Sequence, residues 1–207
     1  MAKKDLHEVE VETGVVMKMR DGVELQADVY TPKESGEYPV LLLRLPYDKT
    51  CAEFQALMHP EWYARQGYIV VSQDVRGRGA SGGEFEPFHH EANDGVDTID
   101  ACVKLKKSSG KVGTYGFSYP GYTQLLSATE RPKGFTTMVP ALTSDGLYDD
   151  WTYKNGVLQQ AFVQGWAAYL SINEVFRKGK PADVRPAIQR LTGICVSYDH
   201  LPITNHP

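Results

Sequence analysis

Cysteine is scarce in this 207-residue chain: Cys51, Cys102 and Cys195 are the whole supply. They are odd in number, far apart and without C-x-x-C spacing. That excludes a disulfide framework and a cysteine zinc site, and fits a reducing compartment. Long apolar runs are missing too; none approaches the roughly 20 residues of a membrane span. The opening "MAKKDLHEVEVETG" has two lysines but no apolar core, so no secretory signal is expected. A cytoplasmic location, without a membrane partner, is the expectation. An excess of positive charge is also lacking. Net charge is −4, and the basic clusters "KLKK" (104–107) and "RKGK" (177–180) are short, which argues against a nucleic-acid partner.

What is present is ordinary for a globular protein: 42% hydrophobic and 23% charged residues. The length suits one good-sized domain, or one domain and part of a second. "VEVETGVVMKM" and "VELQADVYT" flank Asp21-Gly22, a hairpin signal because both residues tolerate positive φ. "YPVLLLRL" (38–45) and "YIVVSQDV" (68–75) are apolar runs of strand length, expected to be buried on both faces. Between them, 54–67 has helical period and a stop at Gly67. The segment 89–107 reads as a helix with an acidic start and a basic end. Residues 111–116, 120–130 and 135–142 read as strand, helix and strand. Strands alternating with helices over 38–142 predict an α/β fold: a mostly parallel sheet with right-handed crossovers, preceded by an antiparallel hairpin. After Ser144 the texture turns aromatic and helical in period, and the alternation does not resume. The expected organisation is therefore a sheet domain over 1–144 and a helical segment over 145–207.

One motif stands out for chemistry. "TYGFSYPG" (114–121) puts a serine between a short strand and a helix. A serine on a tight turn there is held up at the carboxyl end of a parallel strand, where open α/β sheets bind ligands. Small residues are needed around it, and Gly116 and Gly121 answer that need. Pro120 suits the first helical turn. The helix N-terminus aims its free N–H groups and positive end at the serine, so Ser118 is a candidate nucleophile and the Tyr119 N–H half of an oxyanion hole. "RLPYDK" (44–49) follows the first long strand. By its residues alone, Tyr47 reads as a loop tyrosine packed by Pro46, with a hydroxyl donor as the alternative.

Two other motifs carry less. "DVRGRGASGG" (74–83) contains a literal G-x-G-x-x-G at Gly77, Gly79 and Gly82, but no helix opens at the third glycine. The dinucleotide fingerprint is incomplete, and a sharp loop near the crevice, braced by Asp74 and Arg76, is the better reading. His89, His90 and Glu91 are adjacent and share no helix face, so capping or packing is expected rather than a metal site. No cofactor is expected.

Taken in order, "MKMRDGVELQADVYTP", "YPVLLLRLPYDK", "YIVVSQDVRGRGASGGEFEPFHHEANDGVDTID" and "GKVGTYGFSYPGYTQ" resemble the CocE/NonD hydrolases. These are α/β-hydrolases that include cocaine esterase, α-amino-acid ester hydrolases and X-Pro dipeptidyl-peptidase relatives. The likeness covers most of 14–150, and G-x-S-Y-x-G is the family's form of the elbow. It implies a small ester or amide substrate, Ser118 as acylated nucleophile, and an oxyanion hole made by the Tyr119 N–H and the Tyr47 hydroxyl. The helices after 144 would begin a cap, with Trp151, Phe162 and Trp166 as candidates to line an acyl pocket or simply to pack its core.

In this fold the chain order is Ser, then acid, then His. In the family, acid and base follow the cap, so neither role is carried onto His200, His206 or any other residue. The expectation is the N-terminal portion of a serine hydrolase, with an incomplete sheet prone to self-association. The alternatives are a non-catalytic binding remnant and one half of a two-chain enzyme.

Overall fold

The computed structural model describes residues 6–51 and 59–193. They form two compact units, Met1–Thr143 and Ser144–Pro207. The first is built on one six-stranded sheet in the order β1-β2-β4-β3-β5-β6. Its strands are β1 (Val9–Lys18), β2 (Glu24–Pro32), β3 (Tyr38–Leu45), β4 (Ile69–Asp74), β5 (Ser108–Phe117) and β6 (Phe135–Ala141). β1, β2 and β4 pair antiparallel, and β4, β3, β5 and β6 pair parallel. The two central runs of Val, Leu and Ile are buried, as strands covered on both faces must be.

Neighbouring residues of β5 show which helices cover which face. The Tyr115 ring meets Tyr63 of α1 (Pro60–Arg65), with centroids 5.1 Å apart. Thr114 Oγ1 instead bonds Gln124 Oε1 of α3 (Tyr119–Thr129) at 3.1 Å. Successive strand residues point to opposite faces, so α1 and α3 lie on opposite sides of the sheet. α2 (Glu91–Val103) shares the face of α3. Its Ile99 and Cys102 complete a core with Leu25, Val40, Leu42, Val71 and Val112.

Several local expectations change. The hairpin turn is not one with two positive φ angles: only Gly22 is left-handed, at φ 89°. Gly22 N donates to Met19 O and Met19 N to Val23 O, a type I turn closed by a glycine bulge. The expected basic end of α2 is also absent. The helix stops at Val103, and Lys107 lies beyond it, its Nζ donating to the carbonyls of Pro32, Lys33 and Glu34. Of the helix expected over 54–67, Pro60–Arg65 is helical, and 54–58 lie outside the described residues.

The second unit is not helical from its start. A π-helical turn, Leu147–Thr152, leads to a two-residue hairpin between β7 (Tyr153–Lys154) and β8 (Val157–Leu158). Asn155 and Gly156 take φ 52° and 77°, the pair of positive angles that a tight hairpin loop requires. Then come α4 (Gln160–Lys178) and α5 (Pro181–Thr192). His200 and His206 lie outside the described residues.

Candidate active site

The register places the ends of four strands at one level. Leu45 pairs with Asp74 across β3 and β4, and Phe117 with Ala141 across β5 and β6. Leu42 pairs with Thr114, each three residues short of its own strand end. The chain therefore leaves the sheet together at Pro46-Tyr47, Val75-Arg76, Ser118 and Leu142. β3 is followed by β4 on one side and β5 on the other. The switch point, where α/β sheets open a crevice, falls between the strands that carry Tyr47 and Ser118.

Ser118 has φ 61° and ψ −126°, a conformation that side-chain-bearing residues rarely adopt. It begins α3 as the residue before the first helical turn. Its N–H donates to Ala141 O at 2.9 Å, and its carbonyl accepts from Gly121 N and Tyr122 N. Its hydroxyl makes no capping bond. The small neighbours are a steric necessity. A Cβ on Gly116, at φ 141°, would stand 2.6 Å from Pro120 Cβ, and one on Gly121 would stand 2.8 Å from Thr143 Cβ. Gln124, buried in α3, straps the turn from beneath: its Nε2 donates to Gly116 O at 3.2 Å and Pro120 O at 2.8 Å.

Tyr47 is buried, in a loop clamped at both ends. Arg78 Nε donates to Pro46 O at 2.7 Å, and Lys49 N donates to Asp74 Oδ1 at 2.7 Å. Lys49 Nζ lies 3.5 Å from Asp74 and 3.6 Å from Asp28, so the fully buried Asp74 is partly compensated. Burial still raises its pKa. The glycine-rich loop serves this clamp. A Cβ on Gly79 would strike the Asp74 carboxylate, and one on Gly77 would strike the Phe85 backbone. Those glycines make room for the protein's own groups. Arg76 completes the brace with two bonds to Asp94 on α2 and one to Asp21 of the hairpin turn, which holds Asp21 near pKa 2.

Sequence reasoning missed the side chain of Tyr119 and its partners. The phenol is fully buried. It donates to Glu91 Oε1 at 2.8 Å, accepts from Phe88 N at 3.0 Å, and its ring stacks on Phe88 with centroids 4.4 Å apart. Glu91 Oε2 lies 2.9 Å from Arg44 Nη1, and Arg44 Nε donates to Gln73 Oε1 at 2.9 Å. Burial raises the Glu91 pKa against the pull of Arg44, and burial with the adjacent carboxylate raises that of Tyr119. One signal was available: an arginine inside "VLLLRL" requires a buried anionic partner. His90 stands at the start of α2 without a side-chain cap, and pairs instead with Glu86. Trp151 lies in the π-helical turn, and Phe162 and Trp166 lie one turn apart on α4.

A strand, a strained serine and a helix at the switch point of this strand order define the class: an α/β-hydrolase fold. The chain belongs to the X-Pro dipeptidyl-peptidase (S15) family, whose model matches residues 21–205. It is 36% identical over 179 residues to the cocaine esterase of Rhodococcus sp. (strain MB1 Bresler), covering 85% of this chain and 31% of that protein. An aminopeptidase structure from a marine-sediment Thaumarchaeota archaeon matches with TM-score 0.67 at 28% identity, over 82% of this chain and 31% of that one. A CocE/NonD family hydrolase of Staphylococcus aureus has TM-score 0.75 at 22% identity, over 88% and 36%. This chain thus spans about a third of the length of the relatives it matches, and those relatives are hydrolases. No helix among the described residues is long and apolar enough to cross a membrane.

Proposed function

We propose that this chain carries the nucleophile and oxyanion hole of a serine hydrolase acting on small acyl esters or amides. The single observation behind this reading is Ser118 at φ 61° where β5 meets α3. A strained, partly exposed hydroxyl at a switch point has no packing role, and such strain gathers where chemistry is done. Ser118 Oγ attacks the acyl carbon and its proton passes to a base. The carbonyl oxygen becomes an oxyanion, accepting from the Tyr119 N–H and the Tyr47 O–H. Collapse breaks the bond to the alcohol or amine, which takes up the proton, and water then hydrolyses the acyl-serine. Aligned donors of this kind contribute about 3–4 kcal/mol each elsewhere.

No residue of 119–193 is assigned as acid or base: the fold places both after the serine, and in the CocE/NonD family both follow the cap. The reading therefore describes one portion of the complete site. Names among the relatives support both esterase and aminopeptidase chemistry, and an ester is preferred because the cocaine esterase is 36% identical to this chain and the aminopeptidase 28%. The test is intact-mass labelling of the chain with a fluorophosphonate, with Ser118→Ala as control. One label per chain, lost in the variant, is expected if a base reaches Ser118. Labelling retained in Ser118→Ala, or no labelling of the folded chain, overturns acylation by this chain.

A further inference from the structure

We infer that the Tyr119 phenol, acting through Glu91 and Arg44, is a positioning device that holds Ser118 in its strained conformation. A side-chain-bearing residue at φ 61° and ψ −126° persists only where its surroundings over-determine it. Two restraints come from the sheet and from α3 itself: Ser118 N on Ala141 O, and the Gln124 carboxamide on Gly116 O and Pro120 O. The third reaches a separate helix. Tyr119 is covalently next to Ser118, and its hydroxyl is locked between Glu91 Oε1 of α2 and the N–H of Phe88. Fixing that side chain fixes the peptide joining 118 and 119, and with it the direction of the Tyr119 N–H.

The network is costly as mere filling. It takes a phenol, a carboxylate and a guanidinium out of water, and a phenylalanine would fill nearly the same volume. Glu91 is itself fixed, by ion contact with Arg44 and by its carbonyl, which accepts from Arg44 Nη1 at 3.1 Å. Arg44 is anchored in the central strand β3 through Gln73 of β4. The elbow is thereby referenced to the middle of the sheet, where β3 has a paired strand on either side. The catalytic consequence rests on the nucleophile reading above; the positioning does not.

Amide hydrogen exchange on the full chain tests it, comparing wild type, Tyr119→Phe and Glu91→Gln. The exchange rates of the hydrogen-bonded elbow amides, those of Ser118, Gly121 and Tyr122, are each read as a ratio to the amides of β4, which removes any global loss of stability. In Tyr119→Phe the ratio is expected to rise about tenfold or more, the effect of losing a hydrogen bond to a charged group. In Glu91→Gln, whose amide oxygen still accepts from the phenol, most of the protection is expected to survive. An unchanged ratio in Tyr119→Phe means the phenol only fills space, and overturns the inference, as does Glu91→Gln rising as far as Tyr119→Phe. Fluorophosphonate labelling of the same samples reads the function separately. Wild type that fails to label, with the elbow ratio raised in Tyr119→Phe, refutes acylation by this chain and upholds the positioning.

Discussion

Three glycines allow the cost of the elbow to be divided by experiment. Gly110 has φ 77° and nothing within 4 Å of where a methyl group would stand, so Gly110→Ala reports the backbone conformation alone. That costs about 1–2 kcal/mol. Gly121 sits in the first turn of α3 without a positive φ, but its Cβ would meet Thr143 Cβ at 2.8 Å and Ala141 O at 3.1 Å. Gly121→Ala therefore gains up to about 1 kcal/mol of helix propensity and loses about 1–3 kcal/mol to overpacking, for a net loss of about 0–2. Gly116 carries both burdens: φ 141° and a Cβ 2.6 Å from Pro120 Cβ and 3.1 Å from Leu43 Cδ1. The proline ring cannot swing away, so the costs add to about 2–5 kcal/mol. That is a large share of the roughly 5–15 kcal/mol that holds a domain together. At about 3 °C per kcal/mol for a chain of this size, Tm should fall by about 6–15 °C in Gly116→Ala and by about 3–6 °C in Gly110→Ala. Calorimetric melts of the three variants check the order. Equal losses for Gly116→Ala and Gly110→Ala would refute the claim that close packing shapes the elbow.

Ser118→Gly should leave Tm unchanged or raise it by a few degrees, because relief of the strained φ outweighs the added freedom of glycine in the unfolded chain; a fall of more than about 3 °C would refute the strain. Asp21 is held at about pKa 2 by its bond to Arg76, below its usual 3.8. A depressed carboxyl stabilises the fold above its unfolded pKa and loses that contribution as pH falls toward 2. Buried Glu91 and Asp74, raised by desolvation, act with the opposite sign, so the difference between Asp21→Asn and wild type isolates Asp21. Tm measured from pH 5 to 2 should fall less steeply in Asp21→Asn, and parallel curves would refute the pairing. β6 is an end strand of the sheet among the described residues, with Val139 62% exposed and no charge along "FTTMVPA". Val139→Lys should reduce self-association in sedimentation velocity, since a lysine on an open edge discourages strand pairing; an unchanged profile would place any association elsewhere.

Local periodicity was enough for the sheet. Apolar runs at 38–45 and 68–75, the helix starting near 91 and the strand–serine–helix order at 111–130 are all visible because burial on both faces leaves no polar alternation to misread. Gly116 and Gly121 were legible for the same reason: a tight turn admits few residue types. Turn type is less legible in sequence. Asp21-Gly22 forms a bulged turn rather than a two-residue loop, while Asn155-Gly156 takes both positive φ angles. A dipeptide permits a turn, but the register of its strands selects the type.

The sequence by itself determined the parallel-sheet class, the position of the elbow and the small residues it requires, because these depend on neighbours in the chain and on period. Only the tertiary structure decided what holds the site. Arg44, Glu91 and Tyr119 are separated by 47 and 28 residues, as are Asp74 and Lys49 by 25, and they meet because the β3–β4–β5 crossovers fold distant segments onto one edge. Buried polar groups must find partners, but which partner depends on where the chain returns, and that is a property of topology rather than of local pattern.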